Sequence, residues 1–165
     1  MAILTGLAIL LYACYTAFVL KSFGIPKSYS ATYYLLGGKG GDGWIFQVIM
    51  GVVAFLALIS GLDTGGYWNF LAFIPAVALL FVCFAPDYRY SGDKTIENKV
   101  HIVAAYIAAI GSAFAFWLKF NAPMPAAGYA LFVIVVTTID VPKKTFWIEH
   151  VCFDIYLALL FISQL

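Results

Sequence analysis

His101, Glu149, His150 and Asp154 are the residues of this chain best suited to chemistry, because each ionisable group falls within or at the edge of a strongly apolar run. Ionisable side chains at membrane depth are costly. Where they occur they face the bundle interior or water and mark proton relays, coupling sites or ligand pathways. His150 and Asp154 stand four apart, so on a helix they share one face within hydrogen-bonding reach. Glu149 points about 100° away, toward a different partner. His101 opens another apolar run, and Ala105, Ala108, Ser112 and Ala115 continue its face as a small-residue stripe on which a second helix can pack closely. Together with Asp87 these residues predict one polar pocket facing the cytoplasm, made by His101, Glu149, His150, Asp154 and Asp87. Histidine changes charge near neutral pH, so such a pocket suits movement of a proton, ion or small solute. The plain structural alternative is a satisfied His150–Asp154 pair, with Glu149 neutralising Lys143 or Lys144 at the membrane surface.

Two other classes of function compete with transport. Zinc held by His101, His150 and Asp154, with an open position for water and Glu149 or Asp87 as general base, would make a metal-dependent lipid hydrolase. Over these few residues the chain is similar to the alkaline ceramidase-like intramembrane hydrolases. It departs from them in that their paired histidines sit four apart on one helix, whereas His101 and His150 fall on different helices, and the chain is not assigned to that family. A non-catalytic membrane partner, regulator or lipid sensor is the third class. No cofactor is otherwise implied, and nucleophile-elbow, HExxH and nucleotide-binding patterns are lacking. The glycine run from Gly37 to Gly43 has no preceding strand and no GxxxxGK[ST] pattern, so it reads as a flexible linker rather than a phosphate cradle.

The elements that must position these groups follow from composition. Of 165 residues, 64% are hydrophobic and 10% charged, against roughly 45–50% and 25% in a soluble domain. The apolar excess needs a lipid-facing exterior, so the chain reads as one all-α, polytopic integral membrane domain. Spans of ~20 apolar residues are required for helical crossing. Six segments qualify, at about 3–20, 44–62, 67–85, 100–120, 125–139 and 146–165, the fifth being short. They predict a compact bundle of six transmembrane helices. The first is read as a retained helix because no basic region precedes it. No internal repeat supports a two-half transporter. Cys14, Cys83 and Cys152 lie inside separate apolar segments and read as small buried hydrophobes.

Charge fixes an expected orientation. Lys21, Lys27, Lys39, Arg89, Lys94, Lys99, Lys143 and Lys144 all fall on one side of the six-span map, and Lys119 alone lies on the other. Basic residues stay preferentially cytoplasmic, so both termini are expected on the non-cytoplasmic side of a plasma or bacterial inner membrane. A short interfacial helix is expected after the first span, in which Ser28, Tyr29, Ser30, Tyr33 and Tyr34 supply polar and aromatic contacts at the membrane surface. The bilayer itself, a homo-oligomer and a protein partner at the cytoplasmic face are the expected associations. A formal net charge of +1 and the lack of a basic, aromatic-interleaved run exclude a nucleic-acid binder.

Overall fold

A computed structural model describes residues 1–85 and 96–165, with the backbone alone at Lys39, Glu97 and Asn98. Asp87 and most of the charged third connection therefore lie outside the described residues. Among the described residues all regular structure is helical: α1 (Ala2–Phe23), α2 (Thr32–Leu35), a 3-10 turn (Gly38–Gly40), α3 (Trp44–Asp63), α4 (Phe70–Phe84), α5 (Ile96–Phe114) running into a π-turn (Ala115–Lys119), α6 (Pro123–Thr138) and α7 (Lys144–Ile162). Four helices, Ala2–Phe23, Trp44–Asp63, Lys99–Lys119 and Lys144–Ile162, are long and apolar enough to cross a membrane. The two shorter ones, Phe70–Phe84 and Pro123–Thr138, are apolar as well. Helices suit this sequence because they satisfy every backbone polar group within the segment, which lipid cannot do.

Local chemistry sets the helix ends. Gly24 adopts φ +67° after α1 and donates its N–H to Leu20 O at 3.0 Å, a left-handed exit that costs glycine little. α4 begins three residues later than the hydropathy suggests. Gly65 and Gly66, both at positive φ, open a turn that keeps Tyr67–Asn69 out of the helix. Pro123 starts α6, where its missing N–H costs nothing. Pro75 sits inside α4 without ending it.

Polar contacts tie opposite ends of the bundle separately and show that successive apolar helices alternate in direction. At one end, Thr5 Oγ1 donates to Gln164 Oε1 (2.7 Å), Gln164 Nε2 donates to Ser60 O (3.2 Å), and Lys119 Nζ donates to Asn69 Oδ1 (2.7 Å). At the other, Gln47 Nε2 donates to Cys83 O (3.3 Å) and Phe146 N–H to Lys27 O (3.1 Å). This second end carries Lys21, Lys27, Lys143 and Lys144.

α3, α4 and α5 pack tightly in sequence, and α1 lies along α3. Small residues allow the closeness: a Cβ on Gly61 would come within 2.8 Å of Ala72 Cβ, and one on Gly111 within 3.1 Å of Ile74 Cγ2. α6 meets α5 chiefly around the π-turn, and α7 touches α3 and α5 only lightly. The α6–α7 pair thus stands partly away from the tight block. The outward surface is apolar and includes Leu10, Phe55, Phe73, Ile107 and Leu131. Cys14 is exposed on that surface rather than buried as expected, whereas Cys83 is buried.

The connection between α1 and α3 differs most from expectation. The helix in it is a single turn, Thr32–Leu35, and Tyr29 precedes it. Tyr29, Ser30 and Tyr33 are buried, and Ser28 and Tyr34 are half-buried, so the segment is tucked into the protein instead of lying flat as a row of outward anchors. The glycine run is likewise a compact turn rather than a flexible linker. Asp42 N–H bonds Leu36 O at 2.7 Å, and a Cβ on Gly43 would lie 2.7 Å from Gly38 O and 2.8 Å from the Tyr33 ring.

These contacts give an expected contrast. Gly61→Ala forces α3 and α4 apart and lowers stability by about 1–3 kcal/mol, read as a fall in melting temperature in detergent. Gly6→Ala, whose Cβ meets nothing within 4 Å, leaves the melting temperature unchanged or raises it. Equal melting curves for the two variants would contradict the packing described.

Candidate functional site

Tyr29 is the hub on which the candidate site is built. Its hydroxyl lies 2.9 Å from Tyr12 Oη, 2.8 Å from Thr16 Oγ1 and 3.1 Å from His150 Nδ1. Tyr12 and Thr16 are four apart on α1 and so present one polar face. Tyr12 Oη also lies 2.5 Å from His150 Nδ1. On the far side of the imidazole, His150 Nε2 is 3.6 Å from Asp154 Oδ2. One proton order that satisfies the chain has Thr16 donate to Tyr29, Tyr29 to Tyr12, and Tyr12 to His150 Nδ1, with Nε2–H on the Asp154 side; in another, Tyr12 donates to Tyr29 and Tyr29 to Nδ1. This tautomer is assigned from the hydrogen-bond network. Burial pushes the Tyr29 phenol above its usual range, so it remains a donor through neutral pH.

Aromatic rings enclose this network. Phe146 stacks on Tyr29 (centroids 4.9 Å, 23°) and on His150 (5.6 Å, 22°), and Tyr12 stacks on Phe153 (5.1 Å, 28°). Low local polarity strengthens each hydrogen bond inside the cluster.

The next residue on α7 faces elsewhere. Glu149 Oε2 accepts the backbone N–H of Tyr29 at 2.7 Å, and Glu149 lines a cavity of about 1100 Å³ bounded by α3, α4, α5, α6 and α7. Lys143 Nζ donates to Ile25 O, so residues 25–29 are fastened to the start of α7 at several points. Most of the cavity wall is apolar, with Met50, Val53, Leu79, Ala105, Ala108 and Val133 among its residues. The lysine-rich end is polar: Lys27, Ser28, Ser30, Lys143, Lys144 and Thr145 line it there. The Ala105–Ala108–Ser112 stripe lines the cavity, with Ser112 buried against Cys152 of α7, and α4 meets α5 around Pro75 and Gly111.

The expected single pocket is thus two adjoining sites. Glu149 and His101 line the cavity, whereas His150 and Asp154 belong to the tyrosine network and do not line it. His101 Nδ1 bonds Ala85 O at 2.6 Å, at the C-terminal end of α4. Among the described residues no three His, Cys, Asp or Glu side chains come together in a way that could hold a metal ion, so His101 is not gathered with His150 and Asp154. At the cavity end, Lys144 Nζ donates to Asp140 Oδ1 at 2.7 Å and holds that exposed carboxyl below its usual range. Tyr12, Thr16 and the largely apolar wall of the cavity were not expected as site features. The only sequence signal for the first two was the weakly polar face formed by Thr5, Tyr12 and Thr16 on the first span.

Removing the hub hydroxyl tests this geometry. Tyr29→Phe leaves Tyr12 and Thr16 without a shared partner, which costs about 1–3 kcal/mol for buried groups deprived of a hydrogen bond. The melting temperature in detergent is expected to fall by several degrees. Tyr67→Phe, at a fully exposed ring, leaves it unchanged. No effect of Tyr29→Phe would show that the network does not form.

No protein-family model matches this chain, and no match to it is found among curated proteins or solved structures.

Proposed function

We propose that this protein is an integral membrane protein that binds a lipid-like amphiphile in the cavity between its helices. The observation that carries the reading is the cavity's shape together with its lining. Tyr106 and Ile110 on α5 and Ile134 on α6 line the cavity and are more than half exposed. Among the described residues, a slit between α5 and α6 therefore joins the cavity to the surroundings that lipid would occupy. α6 approaches α5 mainly at the π-turn end, so the slit widens toward the lysine-rich end.

Energetics favour an occupant. Large-to-small core substitutions cost ~24 cal/mol per Å³ of residual cavity. That scale applies to enclosed voids, whereas this space of about 1100 Å³ is open between α5 and α6 and so is filled by water or by an apolar chain rather than left empty. Water suits the polar end, but it needs two to four polar partners per molecule, which the apolar wall does not supply. An amphiphile matches both: its chain meets the wall, and its polar head meets the mouth.

In this reading the lysine-rich end lies in the cytoplasm, following the preference of basic residues for that side, and both termini lie outside. A protease-cleavable tag placed after Leu165 is then cut by protease added to intact cells. Cleavage only after the membrane is broken would reverse the orientation.

A second reading, movement of a proton or small solute, is supported by one observation, the Thr16–Tyr29–Tyr12–His150–Asp154 chain. Proteoliposomes that acidify under an applied potential, and lose this in His150→Ala, would favour it.

The lipid reading is tested by mass spectrometry of the full-length protein released from detergent. Retained lipid is expected on the native chain. Ala105→Phe combined with Val133→Trp, which fills the cavity from two sides, reduces it by about tenfold or more, equivalent to ~1.4 kcal/mol or above. A native protein carrying no lipid would overturn the proposal.

A further inference from the structure

The cavity wall is not uniformly apolar at depth. Ser112 on α5, Tyr129 on α6 and Cys152 on α7 all line it, and Ser112 and Tyr129 are buried. The hydroxyls of Ser112 and Tyr129 both neighbour the Cys152 thiol. Three helices thus bring three hydrogen-bonding side chains to one place. Cys152 stands eight residues after Lys144, the first residue of α7, which places the cluster about 12 Å along the helix from the lysine-rich end.

Tyr129 is incompletely satisfied. Among the described residues its hydroxyl forms no hydrogen bond of normal geometry, although it is closed off from water. A thiol is a weak donor and a weak acceptor, so the Cys152 sulfur does not replace a normal partner. Ser60 Oγ is unbonded as well, but Ser60 does not line the cavity. Buried polar groups in native proteins are nearly always bonded, and each exception needs a cause. The Tyr129 ring is well fixed: Phe116 packs edge-on against it, with centroids 5.8 Å apart and planes at 77°. Phe116 belongs to the π-turn Ala115–Lys119, a local geometry frequent at functional sites. The O–H itself rotates about the ring C–O bond. It can leave the thiol and point at an oxygen in the cavity while the ring stays against Phe116.

Ligand cavities are mostly apolar, with a few placed polar groups that fix orientation and select the ligand. We infer that Tyr129, flanked by Ser112 and Cys152, donates a hydrogen bond to an oxygen, carbonyl or hydroxyl, carried within the apolar chain of the cavity's occupant. This rests on the lipid-binding reading above and adds the ligand class: a lipid oxygenated along its chain, not a plain acyl chain.

The test compares stearate with a stearate bearing one mid-chain ketone, each added to delipidated full-length protein and measured by native mass spectrometry. The mid-chain ketone is expected to be retained about tenfold better, through one hydrogen bond from a buried donor. A third probe, with the ketone beside the carboxylate, is retained like stearate, because its oxygen stays near the head. In Tyr129→Phe the preference falls toward one while stearate retention is unchanged. Measured without lipid, the same variant melts at or above the native temperature, because it deletes a hydroxyl that has no hydrogen bond. A hydroxyl with a structural role would lower the melting temperature instead, as expected for Tyr29→Phe. Equal retention of stearate and the mid-chain ketone, an equal gain from either ketone, a preference that survives Tyr129→Phe, or a fall of several degrees in lipid-free Tyr129→Phe each overturns the subsite and leaves lipid binding standing. Retention of none of the three probes also overturns the subsite. Where the protein as first purified carries no lipid either, lipid binding itself fails.

Discussion

Docking of residues 25–32 against α1 and α7 is the constraint from which the rest of the structure follows. Tyr29 is held twice, by its phenol in the Tyr12–Thr16–His150 cluster and by its backbone N–H on Glu149. Thr32 extends the attachment, donating to Tyr29 O at 2.6 Å and meeting Tyr15 Oη at 2.5 Å. In an apolar protein these polar groups have few alternatives, because each needs a partner inside the fold once water is absent. The segment that looks like a surface strap is therefore an internal brace. It also sorts the ionisable groups of α7, sending His150 to the network and Glu149 to the cavity.

The cavity is the geometric consequence of uneven packing. Gly61 against Ala72 and Gly111 against Pro75 draw α3, α4 and α5 into a close block. α7 is secured at its start by the brace and at its end by Gln164, which reaches Thr5 and Ser60. α6 is secured chiefly at the π-turn. Space remains where these two sets of contacts do not meet, and alanines on α3, α4 and α5 keep it wide. The same small residues that allow close approach at one helix face leave a void at another. Composition alone does not tell these outcomes apart.

That distinction marks what could be read from the sequence. Long apolar runs located the helices, since a helix satisfies its own backbone within such a run, and the i,i+4 spacing set His150 and Asp154 on one face, 3.6 Å apart. Glu149 was correctly sent to a different partner by its 100° offset. The Tyr29 hub was missed because its partners are remote: Tyr12 and Thr16 precede it by 17 and 13 residues and His150 follows by 121. Tyrosines near a helix end are common surface anchors, so local sequence favoured the wrong environment. The glycine run misled for a related reason. Glycine permits flexibility and close packing equally, and only the Tyr33 ring lying over Gly43 decides between them.

Asp154 marks the far end of the network. It stands ten residues into α7, about 15 Å along the axis, with 53% of its side chain exposed. Its carboxyl lies 3.6 Å from His150 Nε2, within ion-pair range but beyond a hydrogen bond. An isolated histidine would populate both tautomers and carry a proton on that nitrogen only part of the time. In the order where a tyrosine hydroxyl donates to Nδ1, the ring proton sits on Nε2, on the side facing Asp154. Phe146, stacked on the imidazole, holds the ring plane. The hydroxyl chain from Thr16 thus ends at His150, whose far ring nitrogen lies 3.6 Å from the Asp154 carboxyl. A buried polar cluster and an exposed acid, distinct by position, flank one imidazole.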